Sequence, residues 1–127
     1  LLNVALGGTL CMDVPSWKPR EGMTLWRHTM ILRNPVHEVE VMPDTLLSRV
    51  LGGAERIQVN SAHHCCVDRL GEGVRLVAEA TDGVPEAIEV PSRRFCLGVQ
   101  WHPEYTWQTI PTDLMLWRGF VNAAAGR

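Results

Sequence analysis

The sequence predicts an α/β fold built from short strands with helices around them. The run Phe95–Val99 is apolar apart from one glycine, which suits a strand buried on both faces of a sheet. Residues 73–80 and 86–90 suit two further strands, and the Asp-Gly turn between them is typical of a hairpin. A helical apolar stripe recurs over Leu114–Ala124. With 127 residues, 46% hydrophobic and 20% charged, the chain has the composition of one small globular domain.

The first elements are a short helix and an extended exit from it. Leu2 and Leu6 fall on one helical stripe, and Gly7-Gly8 is a plausible helix stop. Since the chain opens on apolar residues without a helix cap, we expect the beginning of this helix to be absent and the chain to be part of a longer protein. An extended segment follows over residues 8–15. Residues 16–34 lack periodicity and predict a surface loop, from which Arg27 and His28 could reach a site.

The middle of the chain predicts two strands separated by a helix. Residues 36–41 alternate between apolar and polar, which indicates a strand with one wet face near a sheet edge. Pro43-Asp44 is expected to cap a short helix over Thr45–Leu51, which Gly52-Gly53 ends. Arg56–Val59 reads as another brief strand.

The last element predicted is a helix from Leu114 to Ala124, capped by residues 109–113. Leu114, Trp117 and Val121 lie down its apolar stripe. An aromatic residue in such a stripe is more often part of the core than a ligand contact, so we expect Trp117 to be buried.

Composition and charge exclude several classes of partner. The net charge of −2 gives no indication of nucleic acid or an anionic membrane as a partner. No apolar run has the length needed to span a bilayer. The cysteines show no Cys-x-x-Cys spacing, which argues against a disulfide framework or a zinc site and favours a reducing cytoplasm; they are Cys11, Cys65, Cys66 and Cys96.

The strand at Phe95–Val99 leads directly into a polar segment that carries the main catalytic candidates. Pro103 disfavours helix at His102, so His102 should be extended where the strand ends. Residues two apart in an extended segment point the same way, so Glu104 can accept a hydrogen bond from the His102 ring. A carboxylate that orients an imidazole is the base half of a nucleophile–base–orienter arrangement. A solvated strand-end histidine is the alternative, but the glutamate, the proline and the buried strand favour the catalytic interpretation.

A second polar cluster, Asn60–Cys66, follows the strand at Arg56–Val59. Zinc ligands must converge and are usually spaced two to four residues apart, whereas neighbours on an extended chain diverge, so we predict no metal here. A turn with a partly buried histidine pair is one interpretation. We favour the other, a substrate-binding loop at the end of a strand.

Four segments resemble, in order, those of the class I glutamine amidotransferase-like family, nearest to its gamma-glutamyl-gamma-aminobutyrate hydrolase branch. They are Leu2–Leu10, Asn60–His64, Ala80–Glu89 and the highly specific Leu97–Glu104. The resemblance implies part of a three-layer, flavodoxin-like α/β domain with a mostly parallel central sheet and an antiparallel extension over about Val36–Val90. Residues 1–127 would be the C-terminal part of that single domain.

The resemblance also implies a Cys-His-Glu mechanism, acting through a thioester on gamma-glutamyl amides without a cofactor. His102 and Glu104 match the family's histidine and glutamate, and Ser61, His63 and His64 would contact the substrate. The family's nucleophile lies in a Gly-x-Cys-x-Gly elbow, a setting that no cysteine of this chain has. We therefore expect the nucleophile upstream and these 127 residues alone to be inactive.

Two other functions remain open. A glutaminase could supply ammonia to a synthase partner, or a degenerate relative could bind gamma-glutamyl compounds without catalysis. Free-standing hydrolysis is favoured because no fused synthase is visible in the sequence. A homo-oligomer also stays open.

Overall fold

The computed structural model describes residues 1–14 and 32–127. All but the last three residues of the predicted loop over 16–34 lie outside this part of the chain, and so do Arg27 and His28.

The described residues form three α-helices and seven short strands. The helices are α1 (Leu2–Ala5), α2 (Leu46–Val50) and α3 (Pro111–Ala124). The strands are β1 (Leu10–Cys11), β2 (His37–Val41), β3 (Arg56–Val59), β4 (Cys66–Val67), β5 (Arg75–Ala80), β6 (Pro85–Glu89) and β7 (Leu97–Val99). A 3-10 turn over Pro103–Tyr105 follows β7.

Five of the strands form one antiparallel sheet in the order β3-β2-β5-β6-β7, and β1 pairs with β4 in a separate antiparallel ladder. The predicted hairpin of β5 and β6 and the antiparallel extension are confirmed. The expected mostly parallel sheet is wrong for the described residues. Parallel neighbours need long crossover connections, whereas β5, β6 and β7 follow one another through short turns and therefore pair antiparallel.

The main core lies between the five-stranded sheet and the helices α2 and α3. The sheet contributes residues such as Val39, Val59 and Val77, all 0% exposed, and the helices contribute Leu47 and Leu116. A smaller cluster beside the β1–β4 ladder holds Val14, Cys66, Ala80 and Val84. The ladder therefore packs on the hairpin end of the sheet, away from the main core.

Two details of burial differ from the sequence predictions. Strand β7 is half-buried, not buried on both faces, because it lies at the edge of the sheet formed by the described residues. Helix α3 turns Asp113 and Leu116 inward, and leaves Trp117 39% exposed and Val121 59% exposed. The buried face of α3 is therefore displaced by about one residue from the predicted apolar stripe.

The helix caps also differ from those predicted. The Oγ1 atom of Thr45 accepts the hydrogen bond of the Ser48 N–H at 3.0 Å, so the N-cap of α2 is Thr45 and not Asp44. Asp44 instead takes a left-handed conformation, with φ of 59°, in the turn before the helix. Helix α3 starts at Pro111 after Ile110, without a side-chain cap.

Within the described part of the chain, every helix is too short or too polar to cross a membrane.

Candidate active site

His102 and Glu104 form a hydrogen-bonded pair directly after β7. The Nδ1 atom of His102 lies 2.7 Å from Oε1 of Glu104, which confirms the predicted contact. His102 is non-helical, with φ −116° and ψ 78°, and Pro103 begins the 3-10 turn that brings Glu104 back to it. A carboxylate at Nδ1 favours the tautomer that carries its proton there. Nε2 then has a free lone pair with which it can accept a proton.

Asn60, at the end of β3, fixes the backbone of His102. Its Oδ1 accepts the His102 N–H at 2.8 Å, and its Nδ2 donates to the His102 carbonyl at 2.8 Å. The same Nδ2 donates to the Leu32 carbonyl at 2.7 Å, and Asn60 is 1% exposed. Asn60 belongs to the predicted substrate loop, and its sequence position alone gives it no role of its own. An amide residue at a strand end is the signal that could have suggested one.

A buried polar network lies behind this segment. Thr106 donates its hydroxyl to Oδ2 of Asp113 at 2.5 Å, and the Trp101 indole donates to Oδ1 at 3.1 Å. Burial raises the pKa of the Asp113 carboxyl, the hydrogen bonds from Thr106 and Trp101 partly lower it, and the charge of Glu104 raises it further. The network ties α3 to the residues on both sides of His102.

The predicted substrate loop meets a buried carboxylate. Oε1 of Glu86 lies 3.4 Å from Nε2 of His63 and 3.4 Å from Nε2 of His37, and all three side chains are buried. Nδ1 of His63 lies 2.9 Å from the Cys65 carbonyl, so it carries a proton that it donates there. Glu86 was not singled out from the sequence, because the position of a glutamate in a strand does not show that its carboxylate meets two imidazoles from distant parts of the chain.

The three predicted substrate contacts differ in their access to solvent. The side chain of Ser61 is 0% exposed and His63 is 9% exposed, whereas His64 is exposed. A surface depression of about 290 Å³ joins the loop to the strand that leads into His102. It is lined by Leu1, Leu10, Ala62, His63, His64, Cys65 and Gln100. The loop and the end of β7 thus share one surface.

The cysteines of the described residues are all free thiols. Burial raises the pKa of Cys66 to about 12, with smaller contributions from Cys11, Glu86 and Asp68. Cys66 is therefore a thiol at neutral pH, which argues against it as the attacking nucleophile. In residues 1–14 and 32–127, no three His, Cys, Asp or Glu side chains are grouped so that they could hold a metal ion.

Comparison with known proteins points to one family. The sequence profile of Peptidase C26 matches residues 1–104. The protein NtpR of Enterococcus hirae is 38% identical over 122 residues, which are 95% of this chain and 50% of NtpR. The gamma-glutamyl-gamma-aminobutyrate hydrolase PuuD of Escherichia coli is 37% identical over 89 residues, 70% of this chain and 35% of PuuD. The chain thus spans half or less of the length of these curated relatives.

Solved structures agree on the fold. A crystal structure of a glutamine amido transferase from Methylobacillus flagellatus superimposes with a TM-score of 0.59, at 16% identity. The match covers 84% of this chain and 35% of that one. At this identity the likeness concerns the α/β fold alone.

Proposed function

This chain belongs to the Peptidase C26 family, which is class I glutamine amidotransferase-like, and we propose that the complete protein hydrolyses gamma-glutamyl amide bonds with His102 as general base. The observation that carries the proposal is the 2.7 Å hydrogen bond between His102 and Glu104 beside the Asn60–His64 loop. The 37% sequence identity with PuuD supports a gamma-glutamyl amine as the substrate class.

The chemistry follows from the orientation of the imidazole. With Nδ1 held by Glu104, Nε2 of His102 takes the proton of a cysteine thiol contributed by a segment outside this chain. The thiolate attacks the gamma-carbonyl, and the same Nε2 then donates its proton to the departing amine. Water hydrolyses the thioester with His102 again acting as base. Glu104 favours the imidazolium that forms in each cycle, because its carboxylate lies against the charged ring.

The loop from Asn60 to His64 supplies the binding surface for the gamma-glutamyl group. His64 is the exposed side chain of the three candidates, so it makes direct polar contact with the substrate. Ser61 and His63 are buried, and His63 holds the loop backbone in place through its hydrogen bond to the Cys65 carbonyl. The depression beside them, which Gln100 also lines, has room for a small amino acid derivative.

The test is a substrate screen on the complete protein that contains this chain. Release of amine from gamma-glutamyl-gamma-aminobutyrate is compared with release of ammonia from glutamine. His102→Ala is expected to lower kcat/KM by roughly 10²–10⁴-fold, the contribution of an oriented general base. Glu104→Gln should give a smaller loss, because the base remains but its orientation weakens. The exposed Gln108→Ala serves as the control and should retain activity.

Three results would contradict the proposal. Activity within a few-fold of wild type in His102→Ala would exclude His102 as the base. A clear preference for glutamine over gamma-glutamyl amines would make the protein a glutaminase and shift the proposal to ammonia supply for a synthase. No turnover of either substrate by the correctly folded protein would favour a binding role.

A further inference from the structure

Two cysteines face each other across the β1–β4 ladder. Cys11 and Cys66 are direct partners in the antiparallel register, and Leu10 and Val67 are the neighbouring pair. Residues directly opposite in an antiparallel pair place their side chains on the same face. The two thiols are therefore neighbours: Cys11 contributes to raising the pKa of Cys66, and Cys11 packs on the small cluster that contains Cys66.

The pairing satisfies the distance that a disulfide requires. Opposed residues of antiparallel strands have Cα atoms about 4.5–5.5 Å apart, within the range of roughly 4.4–6.8 Å seen in disulfides. We propose that Cys11 and Cys66 are a reversible oxidation site, which forms an intramolecular disulfide when the protein meets a low-molecular-weight disulfide such as oxidised glutathione. This inference does not depend on the proposed hydrolase activity.

The two thiols have different roles because they differ in access. Cys11 is half-buried and reachable, whereas Cys66 is 1% exposed. The thiolate of Cys11 attacks one sulfur of oxidised glutathione, which forms a Cys11–glutathione mixed disulfide and releases one glutathione thiolate. The Cys66 sulfur, on loss of its proton, then attacks the Cys11 sulfur and expels the second glutathione. Two protein thiols are oxidised, and one glutathione disulfide is reduced to two glutathione molecules.

The second step depends on pH. Cys66 is deprotonated with difficulty, because it is buried and because the negative charges of Glu86 on β6 and Asp68 after β4 raise its pKa further. Closure from the mixed disulfide is therefore slow at neutral pH and becomes faster as pH rises towards the pKa of Cys66.

The position of the pair links oxidation to the Asn60–His64 loop. The chain after Cys11 runs alongside this loop, since the Val14 N–H donates to the His64 carbonyl at 2.6 Å. The Cys65 thiol also donates to the Met12 carbonyl at 3.3 Å. A covalent bond between Cys11 and Cys66 would fix these two segments to each other at one end of the loop.

The experiment incubates the complete, folded protein with oxidised glutathione, quenches it with acid and maps its disulfides by tryptic digestion and mass spectrometry. A peptide containing Cys11 linked to one containing Cys65-Cys66 is expected, with fragmentation that assigns the bond to Cys66. Dithiothreitol should reverse it. Closure at about pH 9 should be faster than at about pH 7, as the thiolate fraction of Cys66 rises.

Matched variants separate this site from the other thiols. Cys65→Ser and Cys96→Ser should both retain the Cys11–Cys66 bond, whereas Cys66→Ser should stop at the Cys11–glutathione adduct. A wild-type protein that stays at this adduct, fails to react at Cys11 or links Cys11 to Cys65 would overturn the proposal. If Cys66→Ser does not fold, the wild-type map with the Cys65→Ser variant decides alone.

Discussion

Asn60 holds both backbone polar groups of His102, accepting its N–H and donating to its carbonyl, each at 2.8 Å. The two residues are 42 positions apart in the chain. This contact joins the end of β3 to the end of β7, and so joins the candidate substrate loop to the candidate base. The position of the imidazole therefore depends on a side chain that itself touches no substrate in the proposed mechanism.

Asn60→Ala should lower kcat for gamma-glutamyl hydrolysis more than it raises KM. The substitution leaves the His102 N–H and carbonyl without their partner, which costs about 1–3 kcal/mol for each buried polar group left unsatisfied, and lets the ring move from its productive position. The measurement is steady-state kinetics with a thermal melt, at a temperature where each variant is folded.

Thr45→Ala is the matched control for Asn60→Ala. Thr45 is also buried, and its loss removes the cap of α2, which costs about 1 kcal/mol. It should lower the melting temperature with kcat unchanged. Equal kcat losses in the two variants would mean that Asn60 contributes stability alone.

Glu86→Gln should raise KM for the gamma-glutamyl substrate by several-fold with a smaller effect on kcat. The Glu86 carboxylate lies 3.4 Å from His63, whose other ring nitrogen holds the Cys65 carbonyl. Replacing the carboxylate by an amide changes the charge and the hydrogen-bonding groups that face Nε2 of His63, so the contact through which His63 supports the loop backbone is altered. Kinetics over a range of substrate concentrations separates KM from kcat.

Glu89→Gln is the control for Glu86→Gln because Glu89 is an equally buried carboxylate on the same strand. Its side chain binds Arg75 and accepts the Leu46 N–H at 2.7 Å, away from the loop. The Glu89→Gln variant should be less stable than wild type, with KM unchanged. A KM that moves equally in both variants would contradict a specific role of Glu86 in the loop.

The features that could be predicted from the sequence are local. The β5–β6 hairpin follows from two strand-like runs and an Asp-Gly turn. The His102–Glu104 hydrogen bond follows from a two-residue spacing after a strand, with a proline between the two residues. In both cases the residues that specify the feature are close in the chain, so their relative positions are set by backbone geometry.

The features that escaped prediction depend on distant partners. The inward face of α3 is set by Asp113, which Trp101 and Thr106 bind, and a hydrophobic pattern cannot assign a buried carboxylate to the core. The hydrophobic pattern therefore favours the apolar stripe containing Trp117 instead. Likewise, the apolar composition of β7 predicts a central strand. Composition does not show which strands pair with β7, and in the structure it lies at the edge of the sheet.

Asp113→Asn should remove the part of the pH dependence of stability that comes from the Asp113 carboxyl. Because burial raises the pKa of Asp113 above its ordinary value of 3.8, the folded protein binds more protons than the unfolded chain between 3.8 and the raised value. The free energy of unfolding therefore falls as pH rises through this window. Below pH 3.8, Asp113 makes no contribution to the pH dependence of stability. Melting temperatures of wild type and Asp113→Asn, measured from about pH 3 to pH 7, isolate the difference.

The expected sign for Asp113 is specific. As pH rises above 3.8, the wild-type protein should lose stability relative to Asp113→Asn, although the variant starts lower if the amide disturbs the bonds to Thr106 and Trp101. A wild-type protein that gains stability relative to the variant over the same range would show that the folded-state pKa of Asp113 is lowered.

Gly119→Ala should destabilise the protein alone and stabilise it beside Val50→Ala. A Cβ at position 119 on α3 would lie 2.8 Å from Cγ1 and 3.1 Å from Cγ2 of Val50, too close without movement. Such overpacking costs about 1–3 kcal/mol, more than the gain of about 1 kcal/mol that alanine brings to a helix interior. Val50→Ala removes both methyl groups, so only the helix gain remains. Urea unfolding of the four proteins of this double-mutant cycle gives the stability change of Gly119→Ala with and without Val50→Ala. The same sign in both backgrounds would show that α2 and α3 do not meet at this contact.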